Sequence, residues 1–181
     1  TGGTGAQSVA IGSQALSVST GTNNVSIGYR SLYSNTEGYS STATGTNTLR
    51  SNTTGWNNVA SGFQAMYSNT TGALNVATGT QALYSNTTGN YNVANGDKAL
   101  YNNTTGSQNT ATGYASLYNN TTGGGNIATG INALYSNKTG FRNVATGSSA
   151  LYNNTTGSDN VATGVNALYT NTTGNQNTVN G

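Results

Sequence analysis

Near-identical sequence returns every 17 residues. The unit is Asn-Val-Ala-Thr-Gly-x-x-Ala-Leu-Tyr-Ser-Asn-Thr-Thr-Gly-x-x, cleanest from Asn75 to Tyr91. Its anchor glycines run Gly28, Gly45, Gly62 and Gly79 through to Gly181, and Gly12 lies 16 residues before Gly28, so the first unit is one residue short. A unit this brief is too small for a domain or a helical hairpin. It fits one coil of a parallel β-solenoid, in which successive coils stack and each repeat position becomes a column along the axis. The expected fold is all-β: a single repeat domain over residues 1–181 with about ten coils, forming a rod of roughly 48 Å at a strand spacing of about 4.8 Å. Function then has to be sought in columns, not in a cleft.

Within the unit, Asn75–Gly79 reads as a short strand, and side-chain alternation puts Val76 and Thr78 on one face and Ala77 on the other. Ile11 and Ile27 occupy the Thr78 column in the early coils, which suggests that the Val/Thr face points into the coil. The small Ala column then faces outward, against another surface. Ala82-Leu83-Tyr84-Ser85 reads as a second strand with the Leu column in the core and the Tyr column pointing away. That column holds Tyr33, Tyr67, Tyr84, Tyr101, Tyr118, Tyr135, Tyr152 and Tyr169, interrupted by Ser17 and Arg50. Such a ladder can stack its rings while keeping its hydroxyls wet. Asn86-Thr87-Thr88-Gly89 reads as a turn, with Asn accepting left-handed backbone and Gly supplying positive φ. The Asn75 column reads as a stacked amide ladder. One Val, one Leu and a few Ala per coil make a thin core, so sharing the Ala face with neighbouring chains is expected. The absence of a polar cap at either end suggests a fragment of a longer fibrous protein.

Ser8-Val9-Ala10-Ile11-Gly12-Ser13-Gln14-Ala15-Leu16 and Asn24-Val25-Ser26-Ile27-Gly28 resemble the head repeats of YadA-like trimeric autotransporter adhesins. The longer unit also resembles repeat segments of trimeric tail-fibre-like proteins. The resemblance implies a left-handed β-roll, a homotrimer, and a place on the bacterial cell surface, anchored in the outer membrane through other regions, or in a phage or injection-system fibre. It implies cell adhesion through contact with a host surface protein, a glycan or an abiotic surface. The coil here is longer than the usual one of that family, and Thr replaces its Ile in most coils.

Composition narrows the alternatives. The chain has five basic and three acidic residues, no His and no Cys. That leaves no nucleophile–base pair, metal cluster or cofactor fingerprint to assemble, and the expectation is a non-enzymatic protein without cofactor or metal. No basic patch interleaved with aromatics points to nucleic acid, and no apolar run has membrane-spanning length, so no membrane insertion by this segment is expected. Two variable dipeptides in each unit are free of the repeat. They carry Tyr29, Trp56, Phe63, Tyr91, Tyr114 and Phe141, the candidate binding residues together with the tyrosine ladder. The bland alternatives are solvent-facing drift for the dipeptides and a structural ladder for the tyrosines. Sequons recur at Asn52, Asn69, Asn86, Asn103, Asn120, Asn137, Asn154 and Asn171, at a place that turn geometry also explains. A purely structural spacer is the competing function. A minor alternative is an ice-binding solenoid, disfavoured because the Thr-Thr pair sits in a turn and the other Thr column is expected to face inward.

Overall fold

A computed structural model describes residues 7–181. It is a β-solenoid with eleven three-residue strands, from β1 (Val9–Ile11) and β2 (Val25–Ile27) to β11 (Thr178–Asn180). Each strand pairs only with its sequence neighbours, in parallel, and the whole forms one sheet in chain order. Val9 pairs with Val25 across the short first coil, and from Val25 onward the register advances by 17, as in Val76 with Val93. The described residues contain no helix.

Alternation along the strand is as expected, but its polarity is reversed. In β5 (Val76–Thr78) Ala77 is buried while Val76 and Thr78 are exposed, and the central residue is buried in every strand from Val25–Ile27 to Val161–Thr163, with its neighbours exposed or half-buried. The expectation that Val and the Ile/Thr column point into the coil, with Ala outside, is therefore corrected. The cause is space. The segment opposite the strand, Ala82-Leu83, occupies the interior, and the buried column between takes only small residues, Ala in most coils and Ser26 in one. Ala77, Ala82 and Leu83 belong to one continuous buried cluster running up the rod. The β-branched residues suit the exposed strand face through backbone preference.

The expected second strand is absent too. Ala82–Ser85 is a run of turns, with Gln81 and Leu83 both at φ 54°. The Leu column repeats this in every coil, from Leu16 at 50° to Leu168 at 51°, with Met66 at 52°. Left-handed backbone costs a branched residue about 1–2 kcal/mol, and full burial of a Leu side chain offsets it with about 1.5–3 kcal/mol. Leu83 thus points inward and Tyr84 outward, as expected, but through a left-handed kink instead of a strand. Backbone hydrogen bonds still tie this segment to both neighbouring coils: Leu83 N–H donates to the Ala99 carbonyl and Gln81 N–H to the Phe63 carbonyl.

Two buried columns of asparagine complete the interior. Asn86 Nδ2 donates to Asn69 Oδ1 at 2.8 Å and to the Gly89 carbonyl at 3.0 Å. In the second column, Asn92 Nδ2 donates to Asn75 Oδ1 at 3.2 Å and to the Gly106 carbonyl at 2.9 Å. Gly106 O also accepts from Asn103 Nδ2, so this carbonyl fastens the two ladders together. Among the described residues, every buried side-chain nitrogen and oxygen has a partner. The amide ladder expected for the Asn75 column is present. The Asn86 column, read as a turn former, is a second ladder with ordinary backbone. Gly89 is likewise not a positive-φ residue. It is glycine because a Cβ there would strike Asn86 Oδ1 and the carbonyl of Gly106. The left-handed glycine is Gly79, at φ 131°.

Candidate functional site

Three longitudinal features reach the surface. The first is the strand face, where Val9, Ile11, Val59, Val76 and Ile127 are all exposed. It is a flat ribbon two side chains wide, with V, I or T in one column and chiefly T in the other, and it runs the length of the rod.

The second is the tyrosine ladder. Tyr67, Tyr84, Tyr101, Tyr118, Tyr135, Tyr152 and Tyr169 stack with centroids 5.0–5.2 Å apart and planes within 13° of parallel. The interruption at Arg50 is bridged: its guanidinium lies 5.5 Å from the ring centroids of both Tyr33 and Tyr67, a cation–π spacer at the same pitch. Burial, followed by the neighbouring phenols, pushes the Tyr84 and Tyr135 hydroxyls above the usual tyrosine range. Two cavities lie beside the ladder and together form its groove. Lys98, Tyr114, Ala115 and Asn132 line a cavity of about 290 Å³ against Tyr118, Tyr135 and Tyr152. Ser149 and Asn166 border a further cavity against Tyr169.

The third comprises the variable dipeptides, which fall into two groups flanking the strand face in sequence. Tyr29, Phe63 and Tyr114 follow the strand, while Trp56, Tyr91 and Phe141 precede it. They do not converge on one patch. Tyr114 alone joins the ladder groove. Trp56 is half-buried and stacks on Tyr39, one coil below, with centroids 5.7 Å apart. Phe141 and Arg142 edge a notch of about 410 Å³ above Gly124 and Gly125. Arg142 is held there by Asp159, donating from Nε at 2.6 Å and Nη2 at 2.9 Å. The hydrogen bond from Arg142 holds the Asp159 carboxyl below its ordinary value.

Other sequence candidates resolve differently. The sequon asparagines from Asn52 to Asn154 are fully buried, with Nδ2 engaged in the ladder. The first Thr of the turn spends its hydroxyl on the next coil, as Thr87 Oγ1 does on the Thr104 carbonyl at 3.1 Å. Among the described residues there is no cluster of three potential metal ligands, and no helix long and apolar enough to cross a membrane. Lys98 and Ala115, which shape the groove, carried a weak signal: Ala115 is the one residue of its column that is not polar. Comparison with known protein families, curated proteins and solved structures found no match to this chain.

Proposed function

We propose that this chain is a non-enzymatic segment of a trimeric, YadA-like surface fibre, a left-handed β-roll that mediates adhesion or receptor contact outside the cell. The observation that carries the reading is the exposed V/I/T ribbon. A coil whose interior is already filled by Leu, Ala and Asn leaves its most apolar side chains in water along the whole rod. Exposed apolar stripes of this extent are typical of surfaces that pack on something. A closed ring of three copies, ribbon to ribbon, buries all of them at once, and the Ile-rich coils that most resemble the adhesin heads are the most apolar part of it. The shared face is then the Val/Thr face, not the Ala face. The segment fused in register to a trimeric coiled coil should sediment as a trimer that stays associated after the coiled coil is proteolysed. Val76→Glu with Val93→Glu should abolish that association. A wild-type segment that reverts to monomer refutes the trimeric reading.

The spacer alternative separates from adhesion by replacing Trp56, Phe63, Tyr91 and Phe141 together and measuring attachment. Undiminished attachment favours the spacer. Ice binding gains a specific observation: the Thr78 column, expected to face inward, faces water as a flat β-branched array. Inhibition of ice recrystallisation by a monomeric segment, lost on Thr78→Tyr with Thr112→Tyr, would favour it over the trimer.

A further inference from the structure

The groove beside the tyrosine ladder has a geometry that selects its occupant. Centroids 5.0–5.2 Å apart cannot be directly eclipsed. With ring planes about 3.5 Å apart, successive rings must slip by about 3.7 Å, so each is tilted by roughly 45° to the rod axis. A slip larger than the ring radius leaves a strip of every aromatic face uncovered. The ladder is therefore a staircase of partly exposed faces, one per coil, instead of a closed stack that shows only its edges.

The opposite wall supplies polar groups at the same pitch. Asn132, Ser149 and Asn166 present amides and a hydroxyl, and Lys98 is the one charge lining either cavity. The floor is opened by a departure from the repeat. The Ala115 column otherwise holds Gln14, Arg30, Asn47, Gln64, Gln81, Lys98, Asn132, Ser149 and Asn166. Two pairs in this column bond along the axis: Arg30 Nε donates to Gln14 Oε1 at 2.6 Å and Gln81 Nε2 to Gln64 Oε1 at 3.0 Å. Ala115 breaks that polar row and leaves a gap bounded by Lys98, Tyr114 and Asn132. It does so at φ 51°, where Ala is disfavoured, so neither fold nor stability asks for Ala there.

We propose that this groove, from Lys98 to Tyr169, binds a neutral linear glycan of equatorially linked hexopyranoses running parallel to the rod axis. A sugar unit in such an extended chain advances by about one coil, so each ring can set its axial C–H face on one exposed strip of tyrosine and its hydroxyls against the polar wall. The near absence of charge favours a neutral polymer over an anionic one. A coiled, axially linked glycan loses register after one or two units. The proposal rests on the adhesive reading and names what is held.

The test is calorimetric titration of the purified segment with β-1,4-linked gluco- and N-acetylglucosamine oligosaccharides of two to six units, with α-1,4-linked oligomers alongside. Affinity should rise at least about tenfold from disaccharide to pentasaccharide and stay flat for the α-linked series. Ala115→Gln, which restores the side chain that Gln81 carries at the same left-handed position, should remove most of the binding. Tyr135→Ser, with a precedent in Ser17, should do the same, while Thr88→Ala, outside the groove, should not. Unchanged circular dichroism in each variant keeps the comparison one of binding. No length dependence, equal binding of the α-linked series, or full binding by Ala115→Gln overturns the site. Oligosaccharide binding by a fibre that attaches to nothing sinks the adhesive reading alone, whereas adhesion without oligosaccharide binding sinks this proposal alone.

Discussion

Replacing Asn86 by Ala tests what holds the coils in register. The amide of Asn86 donates to Asn69 Oδ1 at 2.8 Å and to the Gly89 carbonyl at 3.0 Å, and its Oδ1 accepts from Asn103 Nδ2 at 2.9 Å. The Gly89 carbonyl keeps a donor after truncation, because Asn75 Nδ2 also reaches it at 2.9 Å. The other two partners keep none: Asn69 Oδ1 and one N–H of Asn103 are left unpaired at residues that are 0% exposed. Each orphan costs about 1–3 kcal/mol, so with the lost bonds the substitution should destabilise by about 3–6 kcal/mol. In a nearest-neighbour array the loss concentrates in the coils on either side. Urea unfolding followed by circular dichroism should show an earlier, broader transition, and amide exchange should accelerate chiefly between Asn69 and Asn103. Asn86→Asp is a sharper probe, because it sets a carboxylate oxygen against Asn69 Oδ1 and the Gly89 carbonyl. Its damage should ease as the pH falls and the carboxyl regains a proton to donate. A shift below about 1 kcal/mol, or exchange that changes evenly over the chain, would refute the idea that buried amides carry the stacking.

Gly89→Ala should be as damaging as the loss of the amide, since its Cβ collides with Asn86 Oδ1 and the Gly106 backbone; a melting temperature within error of wild type would contradict this. Ala115→Asn should stabilise by about 1 kcal/mol, because Asn accepts φ 51° more readily than Ala, and thermal unfolding reads it directly. The raised Tyr84 and Tyr135 hydroxyls favour the protonated folded state, so their contribution is complete below the ordinary tyrosine pKa and is lost as pH rises through the folded values. Absorbance of tyrosinate and circular dichroism, followed together from about pH 9 to 12, should show late-titrating tyrosines and a stability that falls only in that window. Peptide mapping after expression in a glycosylating host should find the ladder asparagines from Asn52 to Asn154 unmodified in the folded segment, because their amides are buried ladder donors.

Spacing alone made the solenoid legible, and with it the Leu column inside, the Tyr column outside and the Asn75 ladder. What it could not decide is parity. Strand alternation separates Val76 and Thr78 from Ala77 but does not say which set is inside, and hydrophobicity pointed the wrong way. The deciding signal was two residues upstream. Asn75 shares parity with Ala77, and an amide ladder needs exclusion from water to hold its register, so Asn and Ala belong inside together. The left-handed Leu83 left no mark in sequence, because burial overrides the backbone preference that residue-by-residue reading relies on. Gly89 misled for a related reason: a glycine in a turn suggests positive φ, whereas here it marks contact between successive coils. The six dipeptide aromatics were legible as free of the repeat, but that freedom did not bring them together. The groove depended on a small residue, Ala115, which a search for aromatic and charged side chains passes over.

The reversed parity joins fold to function. A solenoid that kept Val and Ile inside would be a self-sufficient rod with an inert Ala surface. This coil does the opposite. It fills its interior with Ala, one Leu and two self-complementary amide ladders, groups that specify register strongly but bury little apolar area each. Its β-branched side chains are left on a flat external ribbon. Register is thus secured within one chain, while most of the remaining hydrophobic driving force is available for association. That division suits a fibre segment whose length is set by stacking and whose assembly is set by a shared face. The ladder and its groove use positions that neither the amide columns nor the ribbon requires. Departures from the repeat, such as Ala115 or Arg50, can therefore accumulate there without disturbing register or assembly, and that is where a repetitive chain has room to become specific.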